Sequence, residues 1–564
     1  MDKHFTLKQL KISELSKVSK DIKDVLHKSK VNNERSLLSS VDINVALNYV
    51  FDCVKDDYVF DMDYMYEIQK ILNSDFTPKW KSMHPATALT AALGMAEVRE
   101  DTNGNNEIVV LIGEKAITSN IALDALKKIG ELKKKIIIII NDNDEEKISH
   151  NGFNSMITKF RYSKTYVNLK NSVRNTLNAN VIGAKTLNTL RSMKDNVKNF
   201  IISDTLFKEF DIDYLGPVDG HNIEELVKAF RMAKSKQNPI VLHVVTNKPQ
   251  MVINRDSNFK YTNEIVLKWL AETVNSNEDI YFVKTDFPQS GMYDGLENSF
   301  GERYYNYGYS YSSALIFASG LASKNNRTFV LLPSVAVQRC YDQINDLISR
   351  NNLPITMLIN DAGLIGDKSD DFGVYDVSLL NTLSNVVVAQ PANGHEMIRL
   401  LNTSLSYDRP MAIRYPLIVI RDENFSTNEK YEDYHWDITG DLNKADAVVI
   451  TYGHYVDRVI EKANKNDFNI SVVNARFIKP IDYDLLDKLA MLKKPVFVYT
   501  TDINVGGLGQ EIVNYYSEEN KSVSLYNFAL ETSYDSGINS VDLKRRHGID
   551  INSLFEEIDT CLKK

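Results

Sequence analysis

The sequence predicts three α/β domains, each built on an open, mainly parallel sheet. Three observations carry this. Short aliphatic runs without polar alternation recur along the chain, amphipathic stretches separate them, and several runs end in Asn or Asp. A non-alternating run suits a strand covered on both faces. Its alternation with helical stretches implies right-handed β-α-β crossovers.

The runs are Ile108–Gly113, Lys135–Asn141, Ile240–Val245, Phe329–Leu332, Ile355–Asn360, Ala447–Ile450 and Val496–Tyr499. Ser119–Leu132 and Tyr341–Ser349 read as amphipathic helices. Asn141-Asp142-Asn143 closes one strand, Asn360-Asp361-Ala362-Gly363 a second, and Thr500-Thr501-Asp502 with Gly506-Gly507-Leu508-Gly509 a third. Ligands of open α/β sheets sit beyond the carboxyl ends of strands, so three such ends imply three related domains. Asn and Asp are also good loop formers, which is the plainer account of any one of these sites. Polar stretches at Asn247–Asn263 and Asp422–Asp441 set the boundaries. The expected domains are 1–250, 260–422 and 440–564.

Composition excludes several classes. The chain has 564 residues, 43% hydrophobic and 25% charged, which excludes disorder, a collagen-like chain or a coiled-coil rod as its main character. A net charge of −9 disfavours a nucleic-acid partner. Cys53, Cys340 and Cys561 lie far apart and form no CxxC pair, as expected in a reducing cytoplasm. The longest aliphatic run, Ile136–Ile140, is too short to span a bilayer, and charges throughout Met1–Lys30 argue against a signal peptide. No membrane partner is expected.

Gly216-Pro217-Val218-Asp219-Gly220-His221 is a specific segment, as is Gly113-Glu114-Lys115-Ala116 followed downstream by Asn141-Asp142-Asn143. The latter pair resembles the thiamine diphosphate-binding signature. With Thr87–Ala96, Val45–Phe51, Gln338–Gln343, Arg414-Tyr415-Pro416 and Arg476–Asp482, the chain resembles the 1-deoxy-D-xylulose-5-phosphate synthases over nearly its whole length. That family belongs to the transketolase superfamily. The resemblance implies a pyrophosphate-binding, a pyrimidine-binding and a C-terminal transketolase-like domain, usually as a homodimer. It also implies thiamine diphosphate and Mg²⁺ as cofactors. The family condenses pyruvate with glyceraldehyde 3-phosphate, releasing carbon dioxide, for isoprenoid, thiamine and pyridoxal synthesis.

Several site positions depart from the family pattern. Glu114 stands at the family's metal-binding Asp and Lys115 at the following Gly; the alternative is a solvated pair at a helix start. Asn143 matches the second metal ligand, and the Glu145 carbonyl falls at the third. The diphosphate cofactor would lie against Lys115, Ala116 and Asn143. Tyr311 occupies the position of the glutamate that activates the cofactor, and a phenol near pKa ~10 is a poor substitute for a carboxylic acid. Ser313 replaces a histidine. Ala336 replaces the aromatic residue against the pyrimidine, and Pro333 a tyrosine. A family Asp-x-Gly-His-Gln segment becomes Asp61–Met65, with Tyr64 at the histidine. Asp361 reverses the charge of a phosphate-gripping arginine, and Leu417 replaces another.

His84, His221, Arg339, Arg414, Arg476 and Lys479 match the family. His84 is the best surviving site residue, catalytic or cofactor-binding, unless it only flanks a helix start. Arg339 and Arg414 are expected at the substrate. Asp219-Gly220-His221 is expected to shape a turn, and Arg476 with Lys479-Pro480-Ile481-Asp482 to pin the C-terminal domain. The expectation is a synthase-like protein with impaired or lost catalysis. Three other readings stand: a working synthase with a rearranged site, a non-catalytic partner of an intact paralogue, or a thiamine- or phosphate-binding protein with other chemistry.

Overall fold

The computed structural model describes residues 7–29, 34–80, 82, 84–101, 104–117, 119–143, 206–247, 259–287, 293, 295–324, 326–365, 372–421, 428–531 and 538–563. They gather into two units, Met1–Val252 with Gly308–Ser310, and Ile253–Tyr307 with Tyr311–Lys564.

The first unit is built on β1 (Asp57–Phe60), β2 (Ile108–Gly113), β3 (Ile137–Asp142), β4 (Asp213–Asp219) and β5 (Ile240–Val245). Their order is β1-β2-β3-β5-β4, with every pairing parallel. The isoleucine run explains why β3 sits centrally. Successive side chains point to opposite faces, so Ile137 and Ile139 join one apolar layer with Phe51 and Phe230. Ile136, Ile138 and Ile140 join the other, with Leu89, Leu126 and Ile129. A run apolar at every position can therefore fill both layers at once.

Caps fix where the helices of this unit begin. Ser119 Oγ accepts from the Ala122 amide at 3.2 Å and starts the helix Asn120–Leu132, one residue inside the expected span. Asp61 accepts from the amides of Ala86 (2.9 Å) and Ala88 (3.4 Å), holding the start of the helix Ala88–Asp101 against the end of β1. The turn after β4 requires Gly220, because a Cβ there would lie 2.4 Å from Thr246 Cγ2 and 2.8 Å from the Val245 carbonyl. His221 closes that turn through its amide to Asp219 Oδ1 (2.9 Å).

In the second unit the strands are β6 (Phe259–Tyr261), β7 (Ile280–Lys284), β8 (Tyr304–Asn306), β9 (Arg327–Pro333), β10 (Ile355–Asn360), β11 (Val387–Ala389), β12 (Met411–Arg414) and β13 (Val419–Arg421). They continue with β14 (Asp437–Thr439), β15 (Ala447–Thr451), β16 (Ile470–Asn474), β17 (Phe477–Lys479), β18 (Val496–Ile503) and β19 (Leu525–Leu530). One sheet runs β17-β11-β12-β10-β9-β7-β8 and another β14-β16-β15-β18-β19, while β13 and β6 form a ribbon. Within the two larger sheets only the β11–β17 and β14–β16 pairings are antiparallel.

The stretch Asn247–Asn263 is not linker throughout. Phe259–Tyr261 pairs with Val419–Arg421, and a helix begins at Thr262, with the Glu264 carboxylate accepting from the Tyr261 amide at 2.7 Å. Likewise Asp437–Thr439, inside the second expected boundary, pairs with β16. Tyr341–Ser349 is helical as expected, but passes from an α-turn at Tyr341–Gln343 into a π-helix at Ile344–Ser349. Lys479 and Arg476 do pin the C-terminal segment. Lys479 Nζ donates to the carbonyls of Asn381 (2.7 Å) and Leu383 at the end of the helix Asp376–Asn381. Arg476 pairs with Glu396 at 3.1 Å and with Asp437.

Candidate active site

In the first unit, register pairs Gly113 with Asn141, so Glu114 and the Asn141-Asp142-Asn143 segment leave adjacent parallel strand ends. Glu114 begins the four-residue helix Glu114–Ile117 and is 7% exposed, while Lys115 is half-buried. Ala116 faces inward and belongs to the apolar layer over the sheet rather than to an open surface. The Asn143 amide nitrogen donates to Ser39 Oγ at 3.0 Å, and Thr246 Oγ1 donates to Asn141 Oδ1 at 2.7 Å. Sequence reasoning missed Ser39, which lies 104 residues before Asn143 in the chain. Its bond orients the Asn143 amide with the nitrogen turned to protein.

Beneath these loops lies a buried polar chain that the sequence did not reveal. His243 Nε2 meets Asp142 Oδ2 at 3.1 Å, and the Tyr214 hydroxyl meets His243 Nδ1 at 2.9 Å. Burial raises the Tyr214 pKa, with the Asp142 charge adding to the shift. A second anchor ties the glycine turn to the helical layer. His221 Nδ1 contacts Asp42 Oδ2 at 3.0 Å, and the Asn247 amide donates to His221 Nε2 at 3.1 Å. Burial would raise the Asp42 carboxyl, but His221 and Lys23 outweigh it and hold its pKa below the ordinary value. His221 is thus a structural turn residue.

His84 is half-buried and sits four residues before the helix Ala88–Asp101. Its carbonyl accepts from Ser82 Oγ (3.1 Å) and Thr87 Oγ1 (2.9 Å), a turn that leads into the helix. The backbone of Tyr64 lies in the short 3₁₀ segment Asp63–Tyr66; its side chain lies outside the described residues, as does Glu145.

In the second unit Tyr311 opens the helix Tyr311–Ala322 and is 5% exposed. Its hydroxyl donates to the Asp286 carbonyl at 3.0 Å. Arg339 holds its guanidinium 5.9 Å from the centre of the Tyr311 ring. Nearby in sequence, Lys284 and Asp286 form a buried ion pair at 3.7 Å just past β7. The signal for that pair was a lysine closing an otherwise apolar strand, Ile280–Lys284. Ala336 is fully buried in the helix Ser334–Arg339, and its methyl gives a ring far less contact area than an aromatic side chain.

Arg414 corrects an expectation. It is fully buried, and its guanidinium is committed inside the protein. Nε donates to Asp376 at 3.0 Å, Nη1 to Gln390 (2.6 Å) and Asp502 (2.8 Å), and Nη2 to Asp376 (2.9 Å) and Asp502 (2.8 Å). Burial works against its charge, but the two carboxylates and Tyr452 outweigh it, so its pKa lies well above the ordinary value. A side chain with every donor spent on protein has none for a substrate phosphate. Arg414 joins the strand β12 to the C-terminal sheet through Asp502 instead.

At the neighbouring strand end Asp361 has a left-handed backbone (φ 53°) and keeps part of its surface open. Its carboxylate accepts from Asn360 Nδ2 at 3.0 Å, and burial pushes its pKa up to about 7.

The fold and these strand ends define a transketolase-type chain. Sequence profiles match it in order: 1-deoxy-D-xylulose-5-phosphate synthase over residues 73–246, the transketolase pyrimidine-binding domain over 261–421, and the transketolase C-terminal domain over 439–553. The chain belongs to the 1-deoxy-D-xylulose-5-phosphate synthase family, of which it is a divergent member. It is 28% identical to the synthase of Listeria innocua over 571 residues, covering 91% of this chain and 90% of that one. With the Clostridium tetani synthase it shares 26% identity over 607 residues, 98% of each chain. Among solved structures, transketolase from Campylobacter jejuni aligns over 99% of this chain and 100% of its own, at 13% identity and a TM-score of 0.45. A split-gene transketolase, described as an inactive beta4 tetramer, covers 54% of this chain and 98% of its own, at 21% identity and a TM-score of 0.47.

Thiamine diphosphate dependence comes with this family. At the diphosphate end the residues fit in kind, since Glu114 and Asn143 offer the hard oxygens that Mg²⁺ takes and Lys115 a cation for phosphate. At the pyrimidine end they do not fit. Tyr311, at the position that the resemblance assigns to the activating acid, donates its hydroxyl proton to a backbone carbonyl. No membrane-length apolar helix occurs among the described residues.

Proposed function

We propose that this chain keeps the architecture of the synthases and has lost most or all of their catalysis. The hydroxyl of Tyr311 carries the reading. Activation needs an acid that shares its proton with the cofactor ring, whereas Tyr311 gives its proton to the Asp286 carbonyl. Independent changes support it: Ser313 for a histidine, Ala336 for an aromatic wall, Asp361 for an arginine, and Leu417 for another arginine. General acid–base and electrostatic contributions are typically worth ~10²–10⁴-fold each, so two such losses leave a negligible rate even without additivity.

The test is a coupled assay for carbon dioxide from pyruvate, with and without glyceraldehyde 3-phosphate, beside an intact synthase. No turnover is expected, and Tyr311→Glu alone is expected not to restore it. Turnover within about a hundredfold of the control, the span of one general acid, would return the chain to the working synthases.

One second reading has its own support. The oxygen donors at Glu114 and Asn143, with Lys115, favour a protein that still holds Mg²⁺ and thiamine diphosphate, more weakly than an active synthase, without turning them over. The remaining assignments follow the family: a cytoplasmic homodimer of three-domain subunits, either alone or assembled with an intact paralogue. A monomeric mass by light scattering at micromolar concentration would exclude the dimer.

A further inference from the structure

The end of β10 and its neighbours hold a group of oxygens that the synthase reading leaves unused. Register sets Asn360 beside Pro333, which puts Asp361 next to Ser334 on the adjacent strand end. The chain packs closely here: a Cβ on Gly373 would lie 2.3 Å from the Asp361 carbonyl and 2.7 Å from Ser334 Oγ. Asn360 is 3% exposed, and its Oδ1 has no hydrogen-bond partner among the described residues. Ser334 is 1% exposed, and its Oγ is likewise without a partner. An unmatched buried oxygen carries a desolvation penalty that a ligand donor would relieve.

Charge points the same way. Among the described residues no Lys, Arg or His forms an ion pair with Asp361, whose carboxylate accepts from the Asn360 amide. Arg414, on the adjacent strand β12, is already held by Asp376 and Asp502. The phenols of Tyr293 and Tyr415 bond each other at 2.5 Å, and Asp361 adds to the burial that raises both their pKa values.

We propose that Asp361, Asn360 Oδ1 and Ser334 Oγ form a subsite for a protonated primary amine. An ammonium presents three N–H donors and no acceptor, and these neighbouring residues offer three side-chain oxygens with open acceptor capacity. A phosphate would meet a carboxylate and an amide oxygen, both repulsive to it. Bound cation also favours the ionised carboxyl, which burial alone pushes up to about 7. The inference deepens the reading given above, because it takes the pocket to have left the family's phosphate substrate behind.

The full-length protein is titrated with ethanolamine hydrochloride and, separately, with sodium phosphate at matched ionic strength, followed by calorimetry and ligand-observed NMR. Ethanolamine is expected to bind at millimolar concentration and phosphate not to bind. Asp361→Asn should weaken the amine about tenfold, the size of one charge-assisted hydrogen bond, and Ser334→Ala a smaller amount. Asp361→Arg, with its fold checked by thermal melting, should lose the amine and gain phosphate. Absence of amine binding, equal amine affinity in Asp361→Asn, or phosphate binding to the unaltered protein as tight as to Asp361→Arg would each overturn the proposal. These outcomes are separable from the decarboxylation assay: turnover there would refute the loss of catalysis whether or not the amine binds.

Discussion

Two sets of strand ends occupy comparable places in their sheets and have been treated differently. Beyond β2 and β3 the polar residues are braced from behind. Ser39 orients Asn143, Thr246 orients Asn141, and the Asp142–His243–Tyr214 chain fixes the end of β3. At the ends of β7 and β12, and at the helix start after β8, the polar residues are turned on protein: Tyr311 on a carbonyl, Arg414 on two carboxylates, Lys284 on Asp286. Support from behind leaves ligand atoms available, whereas mutual satisfaction consumes them. A site can thus lose chemistry without losing polar residues, if the residues that once faced a ligand become each other's partners.

Removing the centre of the second set gives the largest expected effect. Arg414→Met leaves two buried carboxylates unpaired and should cost about 3–5 kcal/mol in urea unfolding. A loss under about 1 kcal/mol, the range of an exposed pair, would show that the network is hydrated and not closed on itself.

Glu114→Ala probes the first set. Calorimetry with Mg²⁺ and thiamine diphosphate should show weak binding to the unaltered chain and at least about tenfold less to the variant, the loss of one charge-assisted ligand. Tight, micromolar binding abolished by the substitution would sharpen the contrast further than we place it. Equal binding would break it.

The turn at His221 should matter for stability alone. His221→Ala removes contacts to Asp42 and the Asn247 amide and should cost about 1–2 kcal/mol, one or two net hydrogen bonds. A change in cofactor affinity with stability intact would give it a role at the ligand.

Asp361 sets the smallest effect and a pH signature. Its folded pKa of about 7 lies above the ordinary carboxylate value, so the folded state holds a proton that the unfolded state releases. Stability contributed by that proton is present below pH ~4 and is lost as pH rises through 7. Asp361→Asn should therefore melt at a higher temperature than the unaltered protein above pH 7, by about 1–2 °C for a gain near 1 kcal/mol. The gain should shrink to nothing near pH 4, and a gain independent of pH would remove the buried carboxyl from the account.

The interior of the fold was legible in the sequence, and its edges were not. The strands Ile108–Gly113, Ile240–Val245 and Ile355–Asn360 fall where the aliphatic runs end, because strands covered on both faces need apolar residues at every position. Short edge strands such as β8 and β14 carry no such run; β14 is exposed throughout. Within the site, substitutions at Tyr311, Ala336 and Asp361 could be read directly. The use of Arg414 could not, since its partners Asp376 and Asp502 lie 38 and 88 residues away in the chain. Matching a motif named the residue, but only the fold showed where its donors are spent.

The strand β17 lies inside the segment that the transketolase C-terminal profile matches, yet it completes the sheet of the segment before it by pairing with β11. Gene fission would feel this asymmetry. A break introduced near residue 252 separates two polypeptides that share no strand ladder. A break between β13 and β14 would instead leave β11 as a bare sheet edge on one fragment, open to aggregation, and β17 without a ladder on the other. For expression in pieces, residues 253–564 keep both of the larger sheets of the second unit whole.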